Sequence, residues 1–395
     1  MTQPPEGQIR IELTACGGKG AVRIENTRPL QISSRFSGRS PSEVAKLVPL
    51  VFSICSAAQS AACAEALECA LATGADGRAR SIRALLTLSE TAREHALQVL
   101  HSWPQCLRAP QPAMARASIK QLLILGRELS RCLGAGAAQL STEGGAIESA
   151  GLGRKIAELN ALLGEAIYGE LPAEWLARSD FEHLSLWAQR NETPAQTIIE
   201  YLVHSGMADA GAADIAPLPP MDREELKTIL LGPNAAAFAA QPEWEGRPRE
   251  TTPLSRVLDH GLVASVKDRY GYGLLARMVA CLIELAEIPG RMHSLAATLK
   301  PERQEAQPAM PRKSGTGIGI AEAARGRLVH AVEIADGLVR RYRILAPTEW
   351  NFHPDGAAAR GLASIALAAP QHREMLARLF IAAVDPCVGY ELRLS

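Results

Sequence analysis

Two parts of the chain alternate apolar and polar residues with the period of two that is typical of β-strands. In each part, two alternating runs flank a turn: residues 9–13 and 22–24 around the glycine-rich segment 16–20, and residues 328–334 and 339–343 around Asp336-Gly337. Asp-Gly between alternating runs is the strongest short-range signal for a hairpin. The sequence therefore predicts two β-hairpins, one near each end of the chain.

Most of the remaining chain has apolar residues at helical spacing. The predicted helices are one beginning at Ser40-Pro41, then residues 78–101, 118–133, 154–168 and 194–205, a mostly helical region 255–285 with a break at Gly271 and Gly273, and a final helix at 360–384. Serine or threonine followed by proline is a typical helix start. We therefore expect a predominantly helical α+β protein.

Two stretches interrupt this pattern with helix-breaking residues. Residues 207–253 are rich in proline and contain only a short helical run at 223–231, and residues 300–319 are rich in glycine, proline and charge. Long irregular stretches usually belong to functional or surface loops. Both are predicted to be irregular loops and are candidates for mobile segments or docking surfaces.

An uncharged run at residues 47–64 is long enough to raise the possibility of a membrane span. Its serines, its glutamine and its many alanines favour a different interpretation. We expect an extended entry followed by a helix that is buried on nearly all sides in a large core. Cys55, Gln59 and Cys63 would share one face of that helix.

Charge and the N-terminal sequence limit the possible partners and locations. The chain has 42 Lys and Arg against 42 Asp and Glu, so it has no basic excess for binding nucleic acid. Its first residues, MTQPPEGQIR, do not combine a basic segment with an apolar one, as a secretory signal would. We expect a cytoplasmic protein with reduced thiols that binds neither nucleic acid nor membranes.

The usual catalytic and metal-binding motifs do not occur. The eight cysteines include no C-x-x-C pair, and the chain contains no G-x-S-x-G, no H-E-x-x-H and no phosphate-binding loop. Gly315, Gly317 and Gly319 form a G-x-G-x-G without a preceding strand, which is a weak signal. A buried cysteine is usually inert, so a special role for any cysteine needs a separate argument.

That argument comes from four segments that resemble motifs of nickel-iron hydrogenase large subunits. In order, Gly38-Arg39-Ser40-Pro41 with residues 50–59 resembles G-R-x-P followed by R-I-C-G-x-C-x-x-x-H, residues 322–326 resemble E-A-P-R-G, residues 347–354 resemble P-T-x-W-N-x-x-P, and residues 385–390 resemble D-P-C-x-x-C. The resemblance covers most of the chain. It implies one domain over residues 1–395, with a central helix bundle and peripheral β-hairpins.

Departures from these motifs change the expected chemistry. In hydrogenases, four thiolates from two C-x-x-C motifs hold nickel and iron. Here Phe52 and Tyr390 replace one cysteine of each motif, which leaves Cys55 and Cys387. The comparison implies that the chain is not an enzyme and binds no nickel, but that Cys55 and Cys387 could hold an iron that carries carbonyl and cyanide ligands.

The resemblance also implies residues around that iron. Arg325 and Thr348 occupy positions that lie near the cyanide ligands in hydrogenases, and a guanidinium and a hydroxyl are suitable donors to such ligands. Gln59, at a histidine position, and Asp385, which opens the last motif, complete the expected set. An alternative interpretation of Arg325 is a salt bridge with Glu322 or Asp336.

A large-subunit relative with a reduced metal site is similar to the HupK/HoxV family of hydrogenase maturation proteins. Arg393 stands at the family's terminal histidine position, and we expect no C-terminal extension of the kind that hydrogenase proteases remove. The similarity implies a scaffold or carrier for the iron unit. Its partners would be hydrogenase accessory proteins, namely a small iron-carrying chaperone and the cofactor-assembly complex, and possibly the large-subunit precursor. The alternative is a metal-free interaction module that mimics the large subunit and binds maturation chaperones.

Overall fold

The computed structural model describes residues 7–28, 30–73, 77–108, 113–134, 147–214, 216–299 and 311–395. Helices make up most of this structure. The α-helices are α1 (Pro41–Val51), α2 (Ser56–Leu71), α3 (Gly77–Leu97), α4 (Trp103–Cys106), α5 (Ala113–Cys132), α6 (Ser149–Leu163), α7 (Pro172–Leu176), α8 (Phe181–Ala188), α9 (Pro194–His204), α10 (Arg223–Leu231), α11 (Ala235–Ala240), α12 (Pro253–Arg256), α13 (Gly261–Tyr270), α14 (Leu274–Thr298), α15 (Pro347–Asn351), α16 (Ala357–Ala366) and α17 (Pro370–Val384). Gln98–Ser102 and Gly164–Tyr168 are π-helical, and Leu30–Phe36 is a 3₁₀ helix.

Several helices begin where local sequence satisfies their first N–H groups. The Ser40 side chain accepts a hydrogen bond from the Glu43 backbone N–H, and the Glu43 carboxylate accepts one from the Ser40 backbone. Thr193 and Gln196 form the same arrangement at α9. In both cases proline follows the capping residue, because the first helical position needs no N–H donor. Both predicted helix starts are confirmed.

The strands form two three-stranded sheets and one short pair. They are β1 (Ile9–Cys16), β2 (Lys19–Asn26), β3 (Glu243–Trp244), β4 (Arg247–Pro248), β5 (Gly315–Ala323), β6 (Gly326–Ala335), β7 (Leu338–Leu345) and β8 (Tyr390–Leu394). One sheet has the order β2-β1-β8, with β8 parallel to β1, and the other is the antiparallel meander β5-β6-β7. Both predicted hairpins are confirmed, whereas β3, β4, β5 and β8 are additional strands.

Three glycines allow α2 and β5 to pack with unusually close backbones. A Cβ atom on Gly315, Gly317 or Gly319 would lie 1.9–2.2 Å from a backbone carbonyl oxygen of α2. A glycine with no side chain is the residue that permits such an approach. The prediction of a loop over 300–319 is therefore wrong from Gly315 onward, and residues 300–310 lie outside the described part of the chain.

Three other predicted boundaries need correction. The extended entry to the buried helix is wrong, because α1 continues to Val51 and only residues 52–55 separate it from α2. The final helix is divided into α16 and α17, since Pro370 cannot continue the backbone hydrogen bonds of a helix. The stretch 207–253 contains α10 as expected, and also α11 and the pair β3–β4.

The largest hydrophobic cluster surrounds α14, which is buried over most of its length. Helices α3, α6, α13 and α17 pack against it. Within the described residues, no helix is long and apolar enough to cross a membrane. The uncharged run 47–64 is divided between α1 and α2, and α2 is buried as predicted.

Candidate metal-binding site

Cys55 is the last residue of the short turn between α1 and α2. Its carbonyl oxygen accepts the first hydrogen bond of α2, from Gln59 N–H. The Cys55 side chain forms no capping bond, and the free N–H groups of Ala57 and Ala58 donate instead to the Glu90 carboxylate of α3, at 2.8 and 3.1 Å. A carboxylate from a neighbouring helix therefore fixes the start of α2 and the position of Cys55.

Cys387 lies in the connection between α17 and β8. The Thr348 hydroxyl donates to Cys387 Sγ at 3.0 Å and accepts from the Cys387 backbone N–H at 3.4 Å. Asp385, two residues earlier, ends α17 in the left-handed conformation, with φ = 57°. This turn directs the chain out of the helix and towards β8.

Cys55 and Cys387 line the same cavity, which has a volume of about 460 Å³. Gln59, Arg325 and Arg28 line it as well. Such a volume lies within the usual range of small-molecule sites, roughly 300–1,000 Å³. Burial raises the pKa of the Cys55 thiol to about 12, and Cys387 adds to the rise. Cys55 is therefore protonated at neutral pH, and a metal that binds it must displace the proton.

Arg325 is held between two partly buried carboxylates. Its guanidinium lies 3.0 Å from Glu94 and 3.0 Å from Asp385, and its carbonyl oxygen accepts a hydrogen bond from the Asn351 side chain. Burial raises the pKa of Asp385 to about 6, while Arg325 opposes the rise. The alternative partners expected for Arg325 are wrong. Glu322 pairs with Arg256 and Arg327, and Asp336 lies at the β6–β7 turn.

Gln59 connects the cavity to the sheet behind it. Its amide nitrogen lies 3.7 Å from Cys55 Sγ, and its amide oxygen lies 2.8 Å from His330 Nε2. The predicted residues Cys55, Gln59, Arg325 and Cys387 all line one cavity, while Thr348 and Asp385 contact them from behind. The cavity therefore presents two thiols that could bind a metal and the two cationic side chains of Arg28 and Arg325.

Comparison with known proteins identifies the fold and the family. The model of the nickel-dependent hydrogenase family matches residues 192–389. The hydrogenase expression/formation protein HoxV of Cupriavidus necator is 31% identical, covering 94% of this chain and 92% of its own length. The chain belongs to the nickel-dependent hydrogenase family.

Further relatives agree with this assignment. The hydrogenase expression/formation protein HupV of Azotobacter chroococcum is 30% identical over 98% of both chains. Among solved structures, the Ni-Fe-Se hydrogenase from D. vulgaris Hildenborough in the reduced state superposes with a TM-score of 0.69, at 18% identity over 94% of both chains. The fold of this family member is therefore that of a hydrogenase large subunit, as the sequence motifs predicted.

Phe52 and Tyr390, which stand at cysteine positions of the hydrogenase motifs, lie in different parts of the structure. Phe52 lines the cavity, and it also packs against the cluster between α1, α2 and the β5-β6-β7 sheet. Tyr390 belongs to β8 and pairs with Ile9 of β1. Arg393 also belongs to β8, where it pairs with Glu391 and Glu12. Among the residues that the structure describes, no three His, Cys, Asp or Glu side chains are grouped to hold a metal.

Sequence reasoning missed three side chains of the site. Arg28 lines the cavity and pairs with the buried Glu349, Glu90 caps α2, and His330 contacts Gln59. Glu349 lies inside the motif 347–354, so its position was available from the family pattern. No local pattern identifies Arg28 or Glu90, because each meets its partner only in the folded chain.

Proposed function

We propose that this chain is a hydrogenase maturation protein that holds or assembles an iron-carbonyl-cyanide unit for delivery to a nickel-iron hydrogenase large subunit. The observation that carries the proposal is the presence of Cys55 and Cys387 on one cavity of a large-subunit fold. The names of two similar proteins, both hydrogenase expression/formation proteins, support a role in maturation.

The chemistry of the cavity suits such a cargo. Thiolates of Cys55 and Cys387 would bind the iron as soft ligands. Cyanide is anionic, and the guanidinium groups of Arg28 and Arg325 line the same cavity. Charge-assisted hydrogen bonds from these groups would stabilise the bound unit. Thr348 would donate to Cys387 or to a ligand of the iron. We expect no nickel and no hydrogen activation by this chain.

Delivery requires that a partner reach the two thiols. Val51 and Ile54 line the cavity and are 40% and 48% exposed, and the neighbouring Leu50 is 76% exposed. The proposed partners are the small iron-carrying chaperone, the cofactor-assembly complex and the large-subunit precursor. We place this exchange in the cytoplasm, with no membrane or nucleic acid taking part.

Infrared spectroscopy tests the proposal directly. Protein purified without oxygen together with its accessory partners should show carbonyl and cyanide bands, and Cys55→Ala or Cys387→Ala should abolish them. Cys106→Ala is the control, because Cys106 is a half-buried thiol outside the cavity, and its bands should be those of the wild type. If the wild type shows no carbonyl or cyanide bands, or if the bands survive in Cys55→Ala, the assignment of these cysteines as iron ligands is wrong.

The second candidate is a metal-free interaction module. The raised pKa of Cys55 favours it, since a protonated thiol is a poor ligand. A Cys55→Ser variant separates the two functions. An interaction module predicts normal complexes with maturation proteins and normal hydrogenase maturation, whereas a carrier predicts normal complexes and failed maturation.

A further inference from the structure

A row of buried polar side chains leads from Cys55 into the protein. Gln59 contacts Cys55 with its amide nitrogen and His330 with its amide oxygen. His330 Nδ1 lies 2.7 Å from the Tyr342 hydroxyl, and the Cys63 thiol lies near that hydroxyl. Gln59, His330 and Tyr342 are each at most 1% exposed. Water is therefore not available to satisfy these groups, and each depends on its neighbours.

The chemistry of these groups allows two arrangements. Burial lowers the pKa of His330 to about 3, so its ring is neutral and has one donor nitrogen and one acceptor nitrogen. In the first arrangement, Tyr342 O–H donates to Nδ1, Nε2–H donates to the Gln59 amide oxygen, and the Gln59 NH₂ group faces Cys55. In the second arrangement every donor and acceptor is reversed, and the Gln59 carbonyl faces the sulfur.

The Gln59 amide oxygen lies against His330 Nε2 and the amide nitrogen against Cys55 Sγ, as the first arrangement requires. Two further arguments support that arrangement. The Nε2–H form is the tautomer that an isolated neutral histidine side chain favours. In addition, a metal-bound thiolate is anionic, so it attracts an N–H group and repels a carbonyl oxygen.

We propose that His330 is a positioning residue that locks the Gln59 amide with its NH₂ group towards Cys55. This proposal rests on the proposed function where the thiolate is concerned, because the locked N–H group matters most when Cys55 binds iron. A donor to a ligand sulfur withdraws charge from it and tunes the metal. Gln59 does not titrate, and His330 stays neutral above pH 5, so this donor would be constant over the physiological range.

The tautomer can be measured in metal-free, full-length protein. In protein labelled with ¹⁵N-histidine, the His330 resonances, assigned by their loss in His330→Asn, should show protonation at Nε2 and not at Nδ1. Tyr342→Phe removes the donor to Nδ1 and should shift both nitrogens. Tyr168→Phe, which removes another buried hydroxyl bonded to a carbonyl, should leave them unchanged. Protonation at Nδ1 in the wild type would contradict the proposed orientation of the Gln59 amide, whether or not the protein binds iron.

The effect on the cargo is tested in the loaded protein. Gln59→Leu removes the N–H donor, which increases electron donation from sulfur to iron and lowers the carbonyl stretching frequency. His330→Phe should shift this band in the same direction, and the double variant should match Gln59→Leu alone, because both changes act on one contact.

Two outcomes decide this second test. Additive shifts, or an unmoved band in His330→Phe, would show that His330 does not act through Gln59. If even the wild type shows no bands, the proposed function fails, whereas the nitrogen spectra still decide the orientation of the amide.

Discussion

At the scale of single residues, Arg325 has two tasks that compete. It lines the cavity, where an anionic ligand would meet it, and it neutralises the partly buried carboxylates Glu94 and Asp385. A buried cation between two anions is costly to remove, because each carboxylate then lacks its partner. On the proposed function, the stability of the metal-free protein and the binding of an anionic cargo would therefore depend on the same guanidinium.

This dual role predicts a pH-dependent loss of stability in Arg325→Gln. Burial already raises the pKa of Asp385 to about 6, above its value in the unfolded chain. Ionisation of Asp385 therefore destabilises the folded state, and this destabilisation grows as the pH rises through about 6. Without Arg325 this pKa rises further, and the cost continues to grow at higher pH. We expect a loss of roughly 3–5 kcal/mol at pH 8 and a smaller loss at pH 5.5, measured by urea unfolding.

Arg393→Gln provides the control for this experiment. Arg393 is an exposed arginine whose ion pairs lie at the surface, and we expect no measurable change in stability at either pH value. Equal losses at pH 5.5 and pH 8 in Arg325→Gln would contradict the role assigned to Asp385.

The sequence motifs predicted the residues that surround the cavity better than they predicted the contacts among them. Cys55 and Cys387 were expected at one site from the family pattern, and the structure brings them to one cavity. That both bind iron stays a prediction. The partners of Arg325 were expected nearby in the chain, yet they come from α3 and from the end of α17. Such contacts depend on how helices pack, which local patterns do not encode.

At the scale of elements, helical periodicity predicted most helices, and the main errors came from glycine. Gly315, Gly317 and Gly319 indicated a loop because glycine is unfavourable in an isolated strand. In the folded protein, β5 lies against the backbone of α2, and a side chain at these positions would collide with it. These three positions therefore require glycine because β5 contacts α2, a helix that lies hundreds of residues earlier in the sequence.

Gly317→Ala tests this packing. The added Cβ would lie 2.0 Å from the carbonyl oxygen of Ala66, so α2 must move away from β5. We expect a loss of about 3 kcal/mol or more in the free energy of unfolding. On the proposed function, retention of the iron unit should also weaken, because Cys55 immediately precedes α2. Gly290→Ala is the matched control, since no atom of α14's surroundings lies within 4 Å of its added Cβ.

The control substitution should not lower the free energy of unfolding, whereas Gly317→Ala should lower it. Alanine is favoured over glycine in a helix by roughly 1 kcal/mol, so Gly290→Ala should be neutral or stabilising. A Gly317→Ala protein as stable as the wild type would show that the close approach of α2 and β5 is not needed.

At the scale of the whole molecule, the first and last strands join the two ends of the chain. β1 pairs with β8 in parallel, from Ile9 opposite Tyr390 to Leu13 opposite Leu394. The short β8 was not predicted, because its pairing partner lies at the opposite end of the sequence and a five-residue run has little pattern of its own. The pairing fixes the segment that carries Cys387.

Proline substitutions in β8 test this connection. Ile9 N–H donates to Gly389, and Ser395 N–H donates to Leu13, so odd-numbered residues of β8 bond to β1. Glu391→Pro removes one of these donors and should cost about 1–3 kcal/mol. Hydrogen exchange at residues 385–389 and alkylation of Cys387 should both accelerate.

Leu394→Pro is the control, because the N–H of an even-numbered residue points away from β1 and proline is tolerated at such edge positions. Its exchange and alkylation rates should stay close to those of the wild type. Equal acceleration in both variants would mean that β8 does not hold the Cys387 segment through its bonds to β1.

The pairing of β1 with β8 also has a consequence for protein synthesis. Cys55 leaves the ribosome roughly 330 residues before Cys387, which at about 5–20 residues per second is an interval of roughly 20–60 seconds. During that time the first thiol is present without the second, and β1 lacks its neighbour. The cavity can close only after the segment that carries Cys387 has left the ribosome, so on the proposed function both thiols could bind iron together only from that point on.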